Sequence, residues 1–270
     1  MELRFAPLFS GSSGNSIYVG NGNTNLLVDA GVAAARILDA LKGIGVAPGS
    51  LDALLVTHEH SDHIKGVGIL SRKLDLPVYA TNDTWCAMEG KIGAVSPKNK
   101  RVISAEQDFY LGDINVTPFS IPHDAADPVG YRFDCGGARF CIATDIGYVR
   151  EQWMQYILGC DAVMLESNYD PAMLAAGSYP YVLKQRISSR KGHLSNDDAG
   201  AAAVRLAEKG TELIILSHLS KENNFPELAL QTVSNVLSLN GYVPGEGVDL
   251  LVAMRSETTG LFSIRSDYSC

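Results

Sequence analysis

Thr57-His58-Glu59-His60-Ser61-Asp62-His63 is the stretch on which the reading of this chain turns. It follows the apolar run Leu54-Leu55-Val56-Thr57, which reads as a buried strand, and it precedes Ile64 to Lys73, which can form a helix. The histidines therefore occupy a strand-to-helix loop. There the imidazoles of His58 and His60 can point to one side while Asp62 and His63 turn toward a neighbouring point, which provides for two metal ions. Imidazole nitrogen supplemented by carboxylate oxygen suits a borderline metal such as Zn²⁺. A polar loop with Ser61 or Asp62 as a helix cap would account for one histidine. It does not account for three with an aspartate at this spacing.

Outward from this loop, polar residues recur where apolar runs stop. His123 follows Thr117-Pro118-Phe119-Ser120-Ile121-Pro122, Asp145 follows Cys141-Ile142-Ala143-Thr144, and His218 follows Ile214-Ile215-Leu216-Ser217. Each is a candidate ligand held at a strand end. Singly they read as loop or core residues; together with the histidine loop they complete two coordination spheres.

The remaining elements form a regular series. Strands are expected at Leu3 to Leu8, Ser16 to Gly20 and Leu26 to Asp29, a helix near Ala33 to Ile44, a strand at Pro77 to Ala80 and a short helix around Thr84 to Glu89. Strands follow at Asp108 to Leu111, Ile114 to Ile121, Gly130 to Asp134 and Ala138 to Ala143. After them helix and strand alternate: Arg150 to Leu158, Ala162 to Glu166, Asn196 to Lys209, Glu212 to Leu216 and Pro226 to Asn240, with strands at Asp249 to Met254 and Gly260 to Ile264. Two strand-rich halves flanked by helices imply stacked sheets with helices outside.

Composition excludes several classes. At 270 residues and 46% hydrophobic content the chain can bury one sizeable core, and no low-complexity tract or charge block marks a linker, so 1–270 is expected to be a single domain. Met1 to Pro7 has neither a basic nor an apolar leader region and no apolar run reaches membrane-spanning length, which implies a cytoplasmic protein without a membrane partner. Five cysteines, Cys86, Cys135, Cys141, Cys160 and Cys270, lack CxxC spacing and imply buried reduced thiols for most of them rather than disulfides or a thiolate zinc site. The net charge of −8 argues against an extended nucleic-acid surface. Oligomeric state is not encoded in any recognisable pattern.

The histidine loop followed by His123, Asp145 and His218 resembles the metallo-β-lactamase superfamily over essentially the whole chain. That resemblance implies an αββα sandwich, one metal held by His58, His60 and His123, a second held by Asp62, His63 and His218, and Asp145 bridging both. Asp29 matches the family's first motif, where an aspartate supports the histidine loop through hydrogen bonds. The ions would be Zn²⁺ or Mn²⁺, since mixed nitrogen and oxygen ligation does not choose. The superfamily includes β-lactamases, thioesterases, oxidoreductases and nucleases, so the reaction must be argued from other residues. The bridging Asp145 argues against a β-lactamase and leaves a glyoxalase II-like thioesterase open.

Glu166 ends the apolar run Val163-Met164-Leu165, and His193 sits in Lys191-Gly192-His193-Leu194-Ser195-Asn196. A carboxylate that orients and charges an imidazole makes a general acid able to protonate a departing alkoxide. The pair is similar to the Glu and His of the tRNA 3′-processing ribonucleases, whereas a thiolate leaves unaided. Between Pro171 and Asn196 no acidic residue occurs, while Lys184, Arg186, Arg190 and Lys191 cluster near His193. This reads as an electropositive lip for phosphate or as a solvated loop. Tyr169, Tyr179 and Tyr181 read as base-stacking or packing residues.

Ser10-Gly11-Ser12-Ser13-Gly14-Asn15-Ser16 is either a hairpin turn or a phosphate cradle using Ser12, Ser13 and Asn15. With His123-Asp124-Ala125, Leu165 to Asp170, Tyr179-Pro180 and Gly192 to Asn196, this loop is similar to the YycJ/WalJ-like branch of bacterial metallo-β-lactamase-fold proteins. The branch implies a phosphodiesterase acting on nucleic acid, DNA more than RNA, and a 5′-to-3′ exonuclease direction. The interval from Asp145 to His218 is too short for a β-CASP insertion, and no Gly-rich tRNA-gripping arm is present. The expected mechanism has a hydroxide bound by two metals as nucleophile, Asp62 among its supports, and the Glu166–His193 pair as acid; metal binding brings the pKa of water to about 7. A thioesterase and a non-catalytic, metal-stabilised binding module are the alternatives. The second is the weaker because structural zinc is normally closed and mononuclear.

Overall fold

The computed structural model describes residues 2–265, so Cys270 lies outside the described residues. The chain divides into two compact units. The first takes the chain up to Ser120, Ala125–Ala138 and everything from Met254; the second takes Ile121–Asp124 and Arg139–Ala253.

The first unit is built on a seven-stranded mixed sheet. Its strands are β1 (Glu2–Phe9), β2 (Ser16–Gly20), β3 (Asn25–Val28), β4 (Ala53–Leu55), β5 (Val78–Thr81), β6 (Lys100–Ile103) and β14 (Phe262–Arg265), in the order β14-β1-β2-β3-β4-β5-β6. The β14-β1-β2-β3 side is antiparallel and the β3-β4-β5-β6 side parallel. Parallel neighbours require crossovers, supplied here by helices including α1 (Ala34–Gly43), α3 (Val67–Leu74) and α4 (Asn82–Met88). Ile37, Leu38 and Leu41 of α1 join Val67 and Leu70 of α3 in one buried cluster with Leu27, Leu54 and Val78. Three further strands, β7 (Phe109–Leu111), β8 (Ile114–Ser120) and β9 (Val129–Cys135), form an antiparallel meander.

The helix expected over Ile64 to Lys73 is two helices, α2 (Ser61–Ile64) and α3, broken at Lys65-Gly66. Gly66 supplies the reason. Its N–H donates to the Ala30 carbonyl at 2.6 Å, and a Cβ there would stand 2.8 Å from the Val32 carbonyl oxygen. The helix is interrupted to let the chain pass that close.

The second unit carries four parallel strands in the order β13-β12-β11-β10: β10 (Ala138–Ala143), β11 (Ala162–Glu166), β12 (Leu213–Ser217) and β13 (Asp249–Val252). Every residue of β11 is buried, as expected for a parallel strand whose faces are both covered. The connections contain α5 (Glu151–Ile157), α6 (Pro171–Ala176), α7 (Tyr181–Ile187), α8 (Asn196–Glu208) and α9 (Pro226–Leu239). Helix α8 starts where Ser195 accepts from the Asp198 N–H, a side-chain cap for a donor that has no helical partner.

The stretch from Pro171 to Asn196, open in the sequence between a phosphate lip and a loop, contains α6 and α7. Asp170 caps α6 through the Met173 N–H, with Pro171 at its first position. Cys135, Cys141 and Cys160 are buried and unbridged, and Cys86 is exposed. Among the described residues no helix is long and apolar enough to cross a membrane.

Candidate metal-binding and catalytic residues

In the first unit the parallel register Val28↔Leu55 brings Asp29, just past β3, beside Thr57 and His58, just past β4. Asp29 adopts φ 59°, a left-handed conformation that costs a non-glycine residue ~1–3 kcal/mol and is held only where its surroundings enforce it. Its carboxylate is almost fully committed. Oδ1 accepts the Thr57 N–H at 2.9 Å, and Oδ2 accepts from the Thr57 hydroxyl and from His63 Nδ1, both at 2.8 Å. An ionised carboxylate can only accept, so His63 carries its proton on Nδ1 and presents the Nε2 lone pair.

His58 and His63 are fully buried and their rings lie 4.1 Å apart between centroids. His58 Nε2 and His60 Nδ1 approach to 3.1 Å, and Asp62 Oδ2 stands 3.7 Å from His63 Nε2. These are ligand-to-ligand spacings: two nitrogens on one tetrahedral ion, each bonded at ~2.0–2.1 Å, lie ~3.3 Å apart. Asn15 is 96% buried rather than presented outward. Its Oδ1 accepts the Gly11 N–H and its Nδ2 reaches His63 Nε2 at 3.1 Å and the Asp62 carbonyl, so the side chain braces the ligand loop. Ser12 and Ser13 are exposed.

In the second unit the registers Ala143↔Leu165 and Leu165↔Leu216 align the ends of β10, β11 and β12. Asp145, Glu166 and His218 therefore emerge side by side. Asp145 and His218 again have positive φ, 60° and 56°. Acidic and imidazole atoms of Asp145, Glu166, His193 and His218 converge closely enough to hold a metal ion. Glu166, fully buried, is the hub: Oε1 receives His193 Nδ1 at 2.8 Å and His218 Nδ1 at 2.9 Å. Oε2 receives the backbone N–H groups of Ile146 at 2.7 Å and Leu194 at 3.0 Å. Burial pushes this carboxyl upward, yet the charges and hydrogen bonds of His193 and His218 outweigh it and hold the group well below the usual carboxylate range.

His123 Nδ1 donates to the Gly192 carbonyl at 3.0 Å, and its Nε2 lies 3.7 Å from Asp145 Oδ1. Gly192 is required there because a Cβ would stand 2.1 Å from the Ile187 carbonyl oxygen. The His193 N–H donates to that same carbonyl at 2.9 Å, tying His193 to the end of α7. Asp145 Oδ1 lies 3.3 Å from His218 Nδ1 and 3.7 Å from His193 Nδ1.

The donors fit divalent ions. His63, His123 and His218 each place Nδ1 on a carboxylate or carbonyl oxygen, which leaves Nε2 as the lone-pair nitrogen and orients the ring. Metal-bound imidazoles are normally braced in this way.

The basic residues are less uniform than the sequence suggests. Arg186 pairs with Asp124, Lys184 donates to the Ala175 carbonyl at 2.7 Å, and Arg190 stacks on Tyr148 with its guanidinium 5.3 Å from the ring centre. Lys191 is exposed. Tyr169 is buried with Leu174 and Ile187, with Tyr179 packed against them, whereas Tyr181 is 73% exposed.

Three supporting residues escape a reading of the sequence. Thr57 links Asp29 to the ring nitrogens of His58 and His63. Asn168 donates to the His218 carbonyl at 2.7 Å. Glu59 accepts the Ala126 N–H. Asn168 gave a signal of the right kind, a polar side chain just beyond the apolar run of β11.

Residues 24–219 match the beta-lactamase superfamily domain, and the chain belongs to that family. Two mixed sheets with flanking helices are its α/β sandwich, and the protein is a hydrolase of the metallo-β-lactamase fold, with His and Asp clusters able to bind metal. It is 43% identical over 250 residues to the exodeoxyribonuclease YycJ of Bacillus anthracis, covering 93% of this chain and 95% of that one. It is 42% identical over 259 residues to the exodeoxyribonuclease WalJ of Streptococcus pneumoniae, covering 95% and 96%. The fold is shared with the metallo-β-lactamase fold protein YhfI of Bacillus subtilis, at a TM-score of 0.73 and 17% identity over 98% of this chain and 100% of that one.

Proposed function

We propose that this protein is a metal-dependent nuclease hydrolysing phosphodiester bonds in nucleic acid. The Glu166–His193 pair carries the assignment. One Glu166 oxygen meets His193 Nδ1 at 2.8 Å while the other is held by two backbone N–H groups, so the carboxylate fixes the orientation of the ring. Nε2 of that ring is then a proton donor for the departing oxygen of a phosphodiester. A departing thiolate needs no such donor, which favours the diester over a thioester.

His58, His60 and His123 would hold one ion, Asp62, His63 and His218 a second, and Asp145 both. Zn²⁺ or Mn²⁺ suits this donor set. When bound, such ions acidify water toward neutrality and offset charge on phosphoryl oxygens. Asp29 and Glu166 supply the fixed acceptors that keep ligand rings in one tautomer, and Asn168 and Asn15 hold the loops that carry them.

The relatives named as exodeoxyribonucleases support DNA as the substrate. The direction we assign is 5′ to 3′, as the sequence resemblance implies. Incubating Mn²⁺- or Zn²⁺-loaded protein with single- and double-stranded DNA and RNA labelled at either end tests this directly. A stepwise ladder shrinking from the 5′ end of DNA is expected. Turnover of S-lactoylglutathione without cleavage of any polynucleotide or of bis(p-nitrophenyl) phosphate would replace the nuclease by a thioesterase.

A further inference from the structure

Within the second unit, the segments that carry Glu166, His193 and His218 each bring a buried asparagine with them: Asn168, Asn196 and Asn224. Two of these form a reciprocal amide pair. Asn196 Nδ2 donates to Asn224 Oδ1 at 3.1 Å, and Asn224 Nδ2 donates to Asn196 Oδ1 at 2.8 Å. The rest of their capacity is also spent. Asn196 Oδ1 accepts from the Ser167 hydroxyl at 2.7 Å and Asn224 Oδ1 accepts the Phe225 N–H at 3.0 Å. Asn224 Nδ2 further reaches the Ser167 and Asn168 carbonyls at 3.0 and 3.2 Å.

Helix formation does not ask for an amide at Asn196, because Ser195 already caps α8. A buried amide costs stability unless its groups find partners, whereas a fully paired network rigidifies the segments it joins. This pair joins the start of α8, just after His193, to the segment entering α9, just after His218. His193 and His218 meet on one oxygen, Glu166 Oε1. A single shared acceptor sets two distances and leaves each ring able to swing about it. Backbone hydrogen bonds from Asn168 to Leu194 and from Asn196 to Tyr169 tie the His193 segment to the exit of β11. The amide pair adds the tie to the segment that follows His218.

We propose that Asn196 and Asn224 are positioning residues for the acid: their pair holds the two segments together and fixes the His193 ring, whose centroid lies 5.3 Å from that of His218. The inference rests on the nuclease reading, in which His193 protonates the leaving oxygen, and assigns the residues that keep it in place. Proton transfer tolerates little displacement, and a shift of about 1 Å can cost roughly 10²-fold.

Kinetics of the full-length, Mn²⁺-loaded protein on a DNA oligonucleotide and on bis(p-nitrophenyl) phosphate test the assignment. Asn224→Ala should lower kcat on DNA roughly 10- to 100-fold with little change in KM and with native metal content. The loss on the activated diester should be much smaller. In the His193→Ala background, Asn224→Ala should cost little further on DNA, because both substitutions act through the same proton. Ser167→Ala, which removes one donor to Asn196, should show a smaller loss of the same pattern, and it decides by the same criteria if Asn224→Ala does not fold. A readout independent of catalysis is the His193 Nδ1–H proton resonance of Zn²⁺-loaded protein, assigned by its absence from His193→Ala. It should shift in Asn224→Ala. Equal slowing of both substrates, additive losses in the double variant or an unchanged His193 resonance overturns the positioning role. DNA cleavage by the native protein with an unchanged resonance sinks the positioning role alone. A shifted resonance in a protein whose native form cleaves no polynucleotide keeps the positioning of His193 and sinks the nuclease.

Discussion

The two clusters of ligand-type side chains are built by opposite means. In the first unit His58, His60, Asp62 and His63 are neighbours in sequence, and one loop leaving β4 delivers them all. In the second unit His123, Asp145, Glu166, His193 and His218 come from five separate segments: Asp145, Glu166 and His218 meet because β10, β11 and β12 are parallel and in register, while hydrogen bonds to Glu166 and to the Gly192 carbonyl bring in His193 and His123. Parallel strands end on one side, so polar residues placed just past each strand converge there, as ligand sites in α/β folds generally do. A loop can be written in seven residues; a strand-end cluster needs the whole sheet. The two are alike in one respect. Each is anchored by a buried carboxylate, Asp29 or Glu166, that accepts from backbone and imidazole together.

The largest effect should come from the residue assigned to both ions. Asp145→Ala is expected to lower bound metal at both positions and to leave hydrolysis at background, whereas Asp62→Ala should lose preferentially one of about two ions. Elemental analysis of reconstituted protein checks this. Retention of full metal by Asp145→Ala would detach the strand-end cluster from metal binding altogether.

Next comes His193, which separates acid from ligand. His193→Ala should keep its metal and lose roughly 10²- to 10⁴-fold in activity on a natural phosphodiester. The loss should be much smaller with a p-nitrophenolate leaving group, which departs without a proton. Glu166→Gln should show the same leaving-group dependence in weaker form. Loss of metal from His193→Ala, or equal slowing of both substrates, would make His193 a ligand, an arrangement the convergence of Asp145, Glu166, His193 and His218 also permits.

Asp29 tests the other anchor at lower cost. Asp29→Asn keeps the shape but cannot offer two accepting oxygens to Thr57 and His63, so His63 loses its fixed tautomer. Such supporting contacts are typically worth roughly 10- to 100-fold in metal affinity. Competition with a chelator measures it. An unchanged affinity would mean that Thr57 holds the ring without Asp29.

The contrast between the clusters also explains what the sequence conveyed. The histidine loop was legible because its ligands are contiguous, and His123, Asp145 and His218 because each ends an apolar run. Strand β6 went unread because Lys100, Arg101 and Val102 are exposed and show no alternation at the edge of the sheet. Helices α6 and α7 are short, six and seven residues, and most of their surface faces solvent, so no apolar periodicity marks them. The break at Gly66 depends on a carbonyl from a distant segment, as does the commitment of Asn15 to His63. Such long-range contacts have no local signature.

The smallest effect concerns the basic residues near His193. A cation that contacts phosphate releases counterions, so removing it should lower the slope of log affinity against log salt by roughly 0.7 to 0.9. Lys191 is exposed and outside any ion pair among the described residues, so Lys191→Ala should show that change with metal-free protein on a DNA oligonucleotide. Arg186 pairs with Asp124, next to His123, and its charge is already answered. Arg186→Ala should leave the salt slope nearly unchanged and affect binding by less than a few-fold, since partly exposed pairs contribute only ~0–1 kcal/mol. Equal slope changes for Lys191 and Arg186 would show that the pair opens for the substrate and that the whole stretch from Lys184 to Lys191 acts as one electropositive lip.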